Sequence, residues 1–319
     1  MRSPVLFLVF NRPETTRQVF QAIRLAKPPK LYIAADGPRV GREAEERACI
    51  EVRQIASAVD WPCEVKTLFR SSNLGCKHGV SSGVSWFFSH EPEGIILEDD
   101  VLPLPTFFDF CEELLERYRN DVRVSMVTGS NLVSNSFHVD ESYFFSYYCN
   151  IWGWASWRRA WQHYDVAMTE WPSWRDAGGL AKISGGKWLF QSYWRKILDN
   201  VYDGKIDTWD YQWLFACWRV GGLTVMPAVN QIRNLGFGAD ATHTKDDAPR
   251  LVLELQTQPL KFPLIHPEAV ACNFGADDYI GSKVFGLNMR DVVIGRLSTI
   301  PIIGSAVHAV KALVRNAIS

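Results

Sequence analysis

Three carboxylates in a row, Glu98-Asp99-Asp100, follow directly on the apolar run Ile95-Ile96-Leu97. Adjacent carboxylates repel one another, so a positive group must compensate them. Their oxygens are natural ligands for Mg²⁺ or Mn²⁺, and such a cation would also hold a substrate diphosphate. An exposed acidic turn, or a helix N-cap before Pro105, is the plainer reading of acids alone. The apolar strand just ahead of them favours a site. Asn11-Arg12-Pro13 and Asp36-Gly37-Pro38-Arg39 also follow apolar runs, although Asp, Gly and Pro make ordinary turns as well. The stretch Asn73 to Gly83 contains Lys77 and His78 and enters a helix. Its glycines allow close backbone approach, and a helix N-terminus attracts phosphate. It is neither a Walker loop nor a GxGxxG fingerprint. Asp207-Thr208-Trp209-Asp210-Tyr211-Gln212-Trp213 sets acids among aromatics. Aromatic burial raises a carboxylate's pKa and suits it to act as a base; a helix with core tryptophans has the same pattern. His243 fits either a metal ligand or polar surface.

The elements that must position these groups alternate. Val5 to Phe10 and Leu31 to Ala35 are continuous apolar runs, the pattern of strands buried on both faces. Residues 64–69 and Gly94-Ile95-Ile96-Leu97 follow as third and fourth strands, and Val122 to Val127 as a fifth. Helices are expected at 14–26, 41–59, from Val80 through Phe87, and at 106–119, with Pro13 in the first turn of the first. Strands separated by helices imply α/β architecture: a mostly parallel sheet with helices on both faces. Ligands in such sheets bind beyond the carboxyl ends of the strands, where Asn11-Arg12, Asp36 and Glu98-Asp99-Asp100 fall.

The second half, from about 140 to 245, is expected to form short strands and loops that close over the site. Eleven of the 13 Trp lie between Trp152 and Trp218. Residues 246–290 show no clear pattern, and Leu297 to Ser319 reads as a helical extension with one apolar side.

Composition limits the function. The chain has 319 residues, 47% hydrophobic and 22% charged, with a net charge of −1. No broad basic field exists for nucleic acid. Seven scattered Cys without zinc spacing suit reduced thiols and a cytoplasmic protein. The first apolar run is too short for a signal peptide, and no run approaches the ~18 residues of a membrane span. Peripheral membrane contact through the tail from Leu297 is one expectation for that segment; packing on the rest of the chain or self-association is another.

Taken together and in order, these motifs resemble the GT-A glycosyltransferases over about residues 3–245. They are most similar to the N-acetylglucosaminyltransferase family that extends N-glycan mannose and to bacterial family-2-like sugar transferases. The most specific part is Ile95 to Val101, followed by Phe107-Phe108, which resembles the family's metal-binding acidic motif. The resemblance implies a GT-A domain over 1–245, with a nucleotide-sugar-binding half (1–130) and an acceptor half (131–245), followed by an extension over 246–319. It implies that Asn11, Arg12, Asp36, Lys77, His78, Glu98 and Asp99 bind a nucleotide-sugar donor, with Asp100 as the metal ligand. Trp152, Gly153 and Trp154 would lie on the acceptor side. Trp209-Asp210 resembles the pair that carries the catalytic base, with Asp207 as runner-up because the family has two adjacent acids followed directly by Trp. Asn234 to His243 resembles a closing loop near the diphosphate, with His243 at the metal or the phosphates. Arg158 and Arg159 are available for anionic groups, the Trp-rich segment offers rings to sugar C–H groups, and the Asp100 carboxylate should be unpaired without metal.

The function implied is an inverting, Mn²⁺- or Mg²⁺-dependent glycosyltransferase. It would take a UDP-linked donor, UDP-GlcNAc among the choices, and a glycan or lipid-linked acceptor in bacterial surface glycan synthesis at the cytoplasmic face of the membrane. The rival is a nucleotide-sugar-binding or scaffold module without transferase activity. A nucleotidyltransferase is disfavoured, because Asn11-Arg12-Pro13 stands where a Gly-rich basic loop would follow the first strand.

Overall fold

A computed structural model describes residues 1–236 and 255–288. Its organising element is an eight-stranded sheet. Strands β1 (Val5–Val9), β2 (Lys30–Ala35), β3 (Glu64–Phe69) and β4 (Glu93–Glu98) run parallel. After the short β5 (Val101–Pro103) come β6 (Val124–Thr128), β7 (Tyr143–Ser146), β8 (Trp154–Trp157) and β9 (Leu223–Pro227). The sheet order is β3-β2-β1-β4-β8-β6-β9-β7. Strand β8 is antiparallel to both β4 and β6, and β7 is antiparallel to β9. A two-stranded ribbon pairs β5 with β10 (Ile232–Asn234). The chain is thus α/β with a mostly parallel, Rossmann-like sheet, consistent with the GT-A arrangement expected above.

Strands β1, β2 and β4 form where expected and for the expected reason, and β3 forms at the expected place as an exposed edge strand. All five residues of β1 are buried, as a central parallel strand requires. Helix α1 (Pro13–Ala26) has Pro at its start and turns Val19, Phe20 and Ile23 inward. Helices α2 (Glu43–Ala56), α3 (Gly75–His90) and α4 (Pro105–Arg117) follow at the predicted places. Strand alternation divides the core. Val5, Phe7, Ile33 and Leu97 face α1, α2 and α4, whereas Leu6, Leu8, Tyr32 and Ile96 face α3 and the tryptophans of the second half.

Three expectations change. The short strands expected in the second half do form, but β7, β8 and β9 join the main sheet, and helices take most of the place expected for loops. Helices α5 (Arg158–Trp161), α6 (Trp171–Asp176), α7 (Gly179–Ser184), α8 (Trp188–Tyr202) and α9 (Asp210–Arg219) fill most of the rest. The patternless stretch contains α10 (Phe274–Val284), whose Asn273 cap accepts a hydrogen bond from the Ala276 N–H at 3.0 Å. The strand expected at 122–127 is β6, shifted two residues at its start and one at its end.

The tryptophans explain the first change. Trp154, Trp157, Trp171, Trp194, Trp209, Trp213 and Trp218 are fully buried. Trp154 stacks on Trp209 with ring centroids 5.8 Å apart, and Trp161 packs on Trp213 at 5.0 Å. Trp154, Trp161, Trp209 and Trp213 form the core between the sheet and α9, Trp157 packs on the opposite face, and Trp171, Trp194 and Trp218 form a third cluster; the seven buried rings are not surfaces for sugar. No helix among the described residues is long and apolar enough to cross a membrane. The tail from Leu297 and its membrane expectation lie outside the described residues.

A Trp154→Ala substitution should cost about 3–5 kcal/mol of stability, the usual cost of emptying a large aromatic site. Urea unfolding measures it, and an unchanged midpoint would return Trp154 to the surface.

Candidate active site

The strand ends converge as parallel topology requires. Arg12 follows β1, Asp36 follows β2, Arg70 follows β3, and Glu98-Asp99-Asp100 closes β4. All of them line one cleft of about 360 Å³, together with Gly75, Cys76, Gly79 and Val80 of α3 and with Asp207.

Arg12 is the positive group that the three acids need. Its Nη1 pairs with Asp100 Oδ2 and lies 3.6 Å from Asp99 Oδ1. The expectation of an unpaired Asp100 is therefore corrected. Asp99 accepts the Phe10 N–H at 2.9 Å through its other oxygen. Burial opposes the charge on Arg12, but Asp99 and Asp100 outweigh it and hold its pKa above the usual value. The acids move the other way. Burial, then repulsion from Asp100, pushes Asp99 up to about 7 despite Arg12. Burial also holds Glu98 well above the carboxylate range, with Asp100, Asp99 and Asp210 adding repulsion. At this end of the cleft three carboxyl groups thus share one guanidinium.

The Asp36 end of the cleft is built differently. Asp36 accepts backbone N–H groups from Leu74 (3.0 Å) and Gly37 (2.9 Å). Burial nevertheless raises its pKa. Gly37 packs so closely on the backbone of Ser71 and Ser72 that a Cβ would overlap them. Arg70 donates to Ser82 Oγ at 2.7 Å. Arg39 also lines the cleft; Glu45 clamps its guanidinium and accepts its N–H at 2.7 Å. Asn11 donates to the same Glu45 at 3.2 Å. Arg70, Arg39 and Glu45 were not among the expected site residues. Arg70 obeys the same strand-end rule that selected Arg12 and Asp36.

Other expected residues fall in different places. At α3 the cleft meets Gly75, Cys76, Gly79 and Val80, whereas His78 is exposed and Lys77 half-buried beside them. Cys76 is pushed up to about 12 by burial and by the charges of Glu98, Asp210 and Asp207, which places these three acids around it. Asp207 is exposed at the rim. Asp210 opens α9 and accepts a hydrogen bond from Thr208 Oγ1. It lines an adjoining cavity of about 170 Å³ with Trp152, Asn150 and Tyr211. Gly153 has φ of +59°, and a Cβ there would press on Ile232 at 2.6 Å. Trp154, expected on the acceptor side, does not line that cavity: it is fully buried and stacks on Trp209.

Arg158 and Arg159 are corrected too. Arg159 donates to the carbonyls of Arg119, Val124 and Tyr118, and Arg158 to that of Phe88. Both brace the fold. The segment expected to close near the diphosphate starts against the acids: the Leu235 N–H donates to the Asp100 carbonyl at 2.7 Å, and a Cβ on Gly236 would overlap the Asp100 carboxylate. His243 lies outside the described residues.

Among the described residues, no three His, Cys, Asp or Glu side chains converge as a ready-made metal centre. The donor set instead fits a hard cation held by one or two carboxylates and completed by substrate oxygens, provided Arg12 yields its place on Asp100.

No protein-family model matches the sequence, and no curated protein matches it. Two solved structures show a slight likeness. HddC from Yersinia pseudotuberculosis is 8% identical over 51% of this chain and 80% of its own, with a TM-score of 0.32. Apo mouse xyloside xylosyltransferase 1 is 11% identical over 68% and 81%, with a TM-score of 0.29. Likeness at this level says nothing of substrate.

Removing Arg12 should leave buried carboxylates uncompensated. Arg12→Met is expected to cost about 3–5 kcal/mol at pH 8. A carboxylate raised in the folded state costs stability above its unfolded pKa, and that cost grows as pH rises to the folded value. The deficit should therefore shrink at pH 5, where folded Asp99 is protonated. Denaturant titrations at both pH values check this, and a pH-independent deficit would contradict it.

Proposed function

We propose that this chain is an inverting glycosyltransferase using a nucleotide-diphosphate sugar, with UDP-linked donors favoured and UDP-GlcNAc among them. One observation carries the reading. Four successive parallel strands deliver Arg12, Asp36, Arg70 and Glu98-Asp99-Asp100 to one cleft, and Asp210 stands in a cavity alongside it. Asp36 and Arg70 suit the nucleoside end. Arg12 suits the diphosphate, with which the acids now compete for its charge.

Asp100, with Asp99 behind it, would hold Mn²⁺ or Mg²⁺. Bound there, the cation would neutralise charge developing on the leaving diphosphate. The acceptor hydroxyl would enter the cavity beside Trp152, Asn150 and Tyr211. Asp210 takes its proton as the oxygen bonds to the anomeric carbon. The bond from that carbon to the diphosphate oxygen breaks, and the nucleoside diphosphate leaves with its electron pair. The N-terminus of α9 suits a carboxylate at this point. Asp207, at the rim of the donor cleft, is the second choice of base. The acceptor is a glycan or lipid-linked glycan in bacterial surface glycan synthesis at the cytoplasmic face.

Calorimetric titration of UDP and GDP, each with and without Mn²⁺, tests the donor. Metal-dependent UDP binding that is lost in Asp100→Ala is expected; binding of GDP alone would change the donor class. In Asp210→Asn, nucleotide binding should persist while turnover falls about 10²–10⁴-fold. A wild-type chain that binds donor but neither transfers nor hydrolyses it would favour the scaffold module.

A further inference from the structure

A third cavity, of about 260 Å³, lies between α7, α8 and α10, and none of the groups discussed so far uses it. Its rim carries two large exposed rings: Trp188, the first residue of α8, is 52% exposed, and Phe274, the first of α10, is 49% exposed. Trp188 is the one exposed Trp of the chain, and an exposed Trp and an exposed Phe lining one cavity make the kind of apolar patch that marks a binding surface. The polar groups are equally specific. Lys187 and Asp278 pair across the rim. Asp277, deeper in, is held by Ser146 Oγ (2.5 Å) and the Tyr147 N–H (3.0 Å). Ser184 is 5% exposed and lines the cavity, and its buried hydroxyl has no hydrogen-bond partner. A buried hydroxyl without a partner costs free energy that a ligand can recover.

These features select the ligand class. An acyl chain would suit the rings but leave the buried Ser184 hydroxyl without a partner. A phosphate or other anion would meet Asp277 and Asp278. A neutral ring with an apolar face and hydroxyls at its edge answers both sets of groups. That is a pyranose, and apolar pockets with a few fixed polar groups are the usual form of such sites. Position adds to the argument. Tyr148 lines this cavity and also the one that contains Asp210. Tyr148 is thus shared between the proposed reaction centre and the aromatic cavity.

We propose that the cavity between α7, α8 and α10 is a second carbohydrate subsite, which holds a neutral sugar unit of the acceptor beyond the unit that reacts at Asp210. The proposal rests on the glycosyltransferase reading for its role in catalysis, but sugar binding at this cavity can be measured without donor.

The test titrates maltotriose, cellotriose, chitotriose and mannotriose into the full-length chain, its Trp188→Ala and Phe274→Ala variants, and Ser184→Ala. At least one trisaccharide should bind the wild type and lose about tenfold or more in affinity in Trp188→Ala, as for a central aromatic contact. Melting temperature and Mn²⁺-dependent UDP binding should stay unchanged in that variant. No binding of any of the four at millimolar concentration would overturn the subsite, as would binding indifferent to all three substitutions. Dodecanoate binding that is lost in Trp188→Ala, with no sugar bound, would overturn it in favour of an acyl chain. Failure of UDP to bind while a trisaccharide still does would remove the donor reading and leave the subsite standing.

Discussion

Three carboxylates at the end of one buried strand, with a single guanidinium among them, set the terms for this molecule. Arg12 reaches Asp100 and Asp99 from the end of the neighbouring strand, and that contact depends on the parallel pairing of β1 with β4, where Leu8 lies opposite Glu98. Slipping that register by one residue would turn the strand's faces over and part the charges. The core on both faces of the sheet is thus what keeps an unfavourable charge cluster in place. The cluster in turn sets three carboxyl groups against one guanidinium at this end of the cleft, an arrangement suited to a cation and the phosphates that accompany it.

The second half serves the same arrangement from below. Strand β8 inserts antiparallel beside β4 and carries Trp154 under the site, where it stacks on Trp209. Trp209 immediately precedes Asp210, so packing of the indole core fixes where the proposed base stands. The ribbon of β5 with β10 brings Leu235 and Gly236 back onto Asp100. The three acids, the proposed base Asp210 and the Leu235-Gly236 turn are therefore tied to one sheet and its tryptophan layer.

Much of this was legible in the sequence where local rules decide it. Unbroken apolar runs marked β1, β2 and β4, and polar residues at their ends marked Arg12, Asp36 and Glu98-Asp99-Asp100. The same rule reaches Arg70 at the end of β3, but that strand is an edge strand with exposed residues and no continuous apolar run to call attention to its end. Glu45 was not legible: it shares the first turn of α2 with Glu43 and Glu46, and only the fold shows that it is the one that clamps Arg39. The antiparallel insertion of β8 is a pairing between segments about sixty residues apart in sequence, which no local pattern records. Tryptophan count suggested exposed platforms. Burial of seven rings shows that composition alone does not separate a core from a surface. Helix α10 hid behind Gly275 and Gly281, which weaken its helical pattern.

The most direct test of the account is a crystal structure with UDP and Mn²⁺ bound, recorded with anomalous scattering from manganese. The account predicts a manganese peak within coordination distance of the Asp100 carboxylate, with the diphosphate beside it. Arg12 would have turned from Asp100 toward phosphate, and the uracil would lie between Asp36 and Arg70. A nucleotide bound away from the carboxyl ends of β1 to β4, or an Arg12–Asp100 pair unchanged with UDP and manganese bound elsewhere, would contradict it.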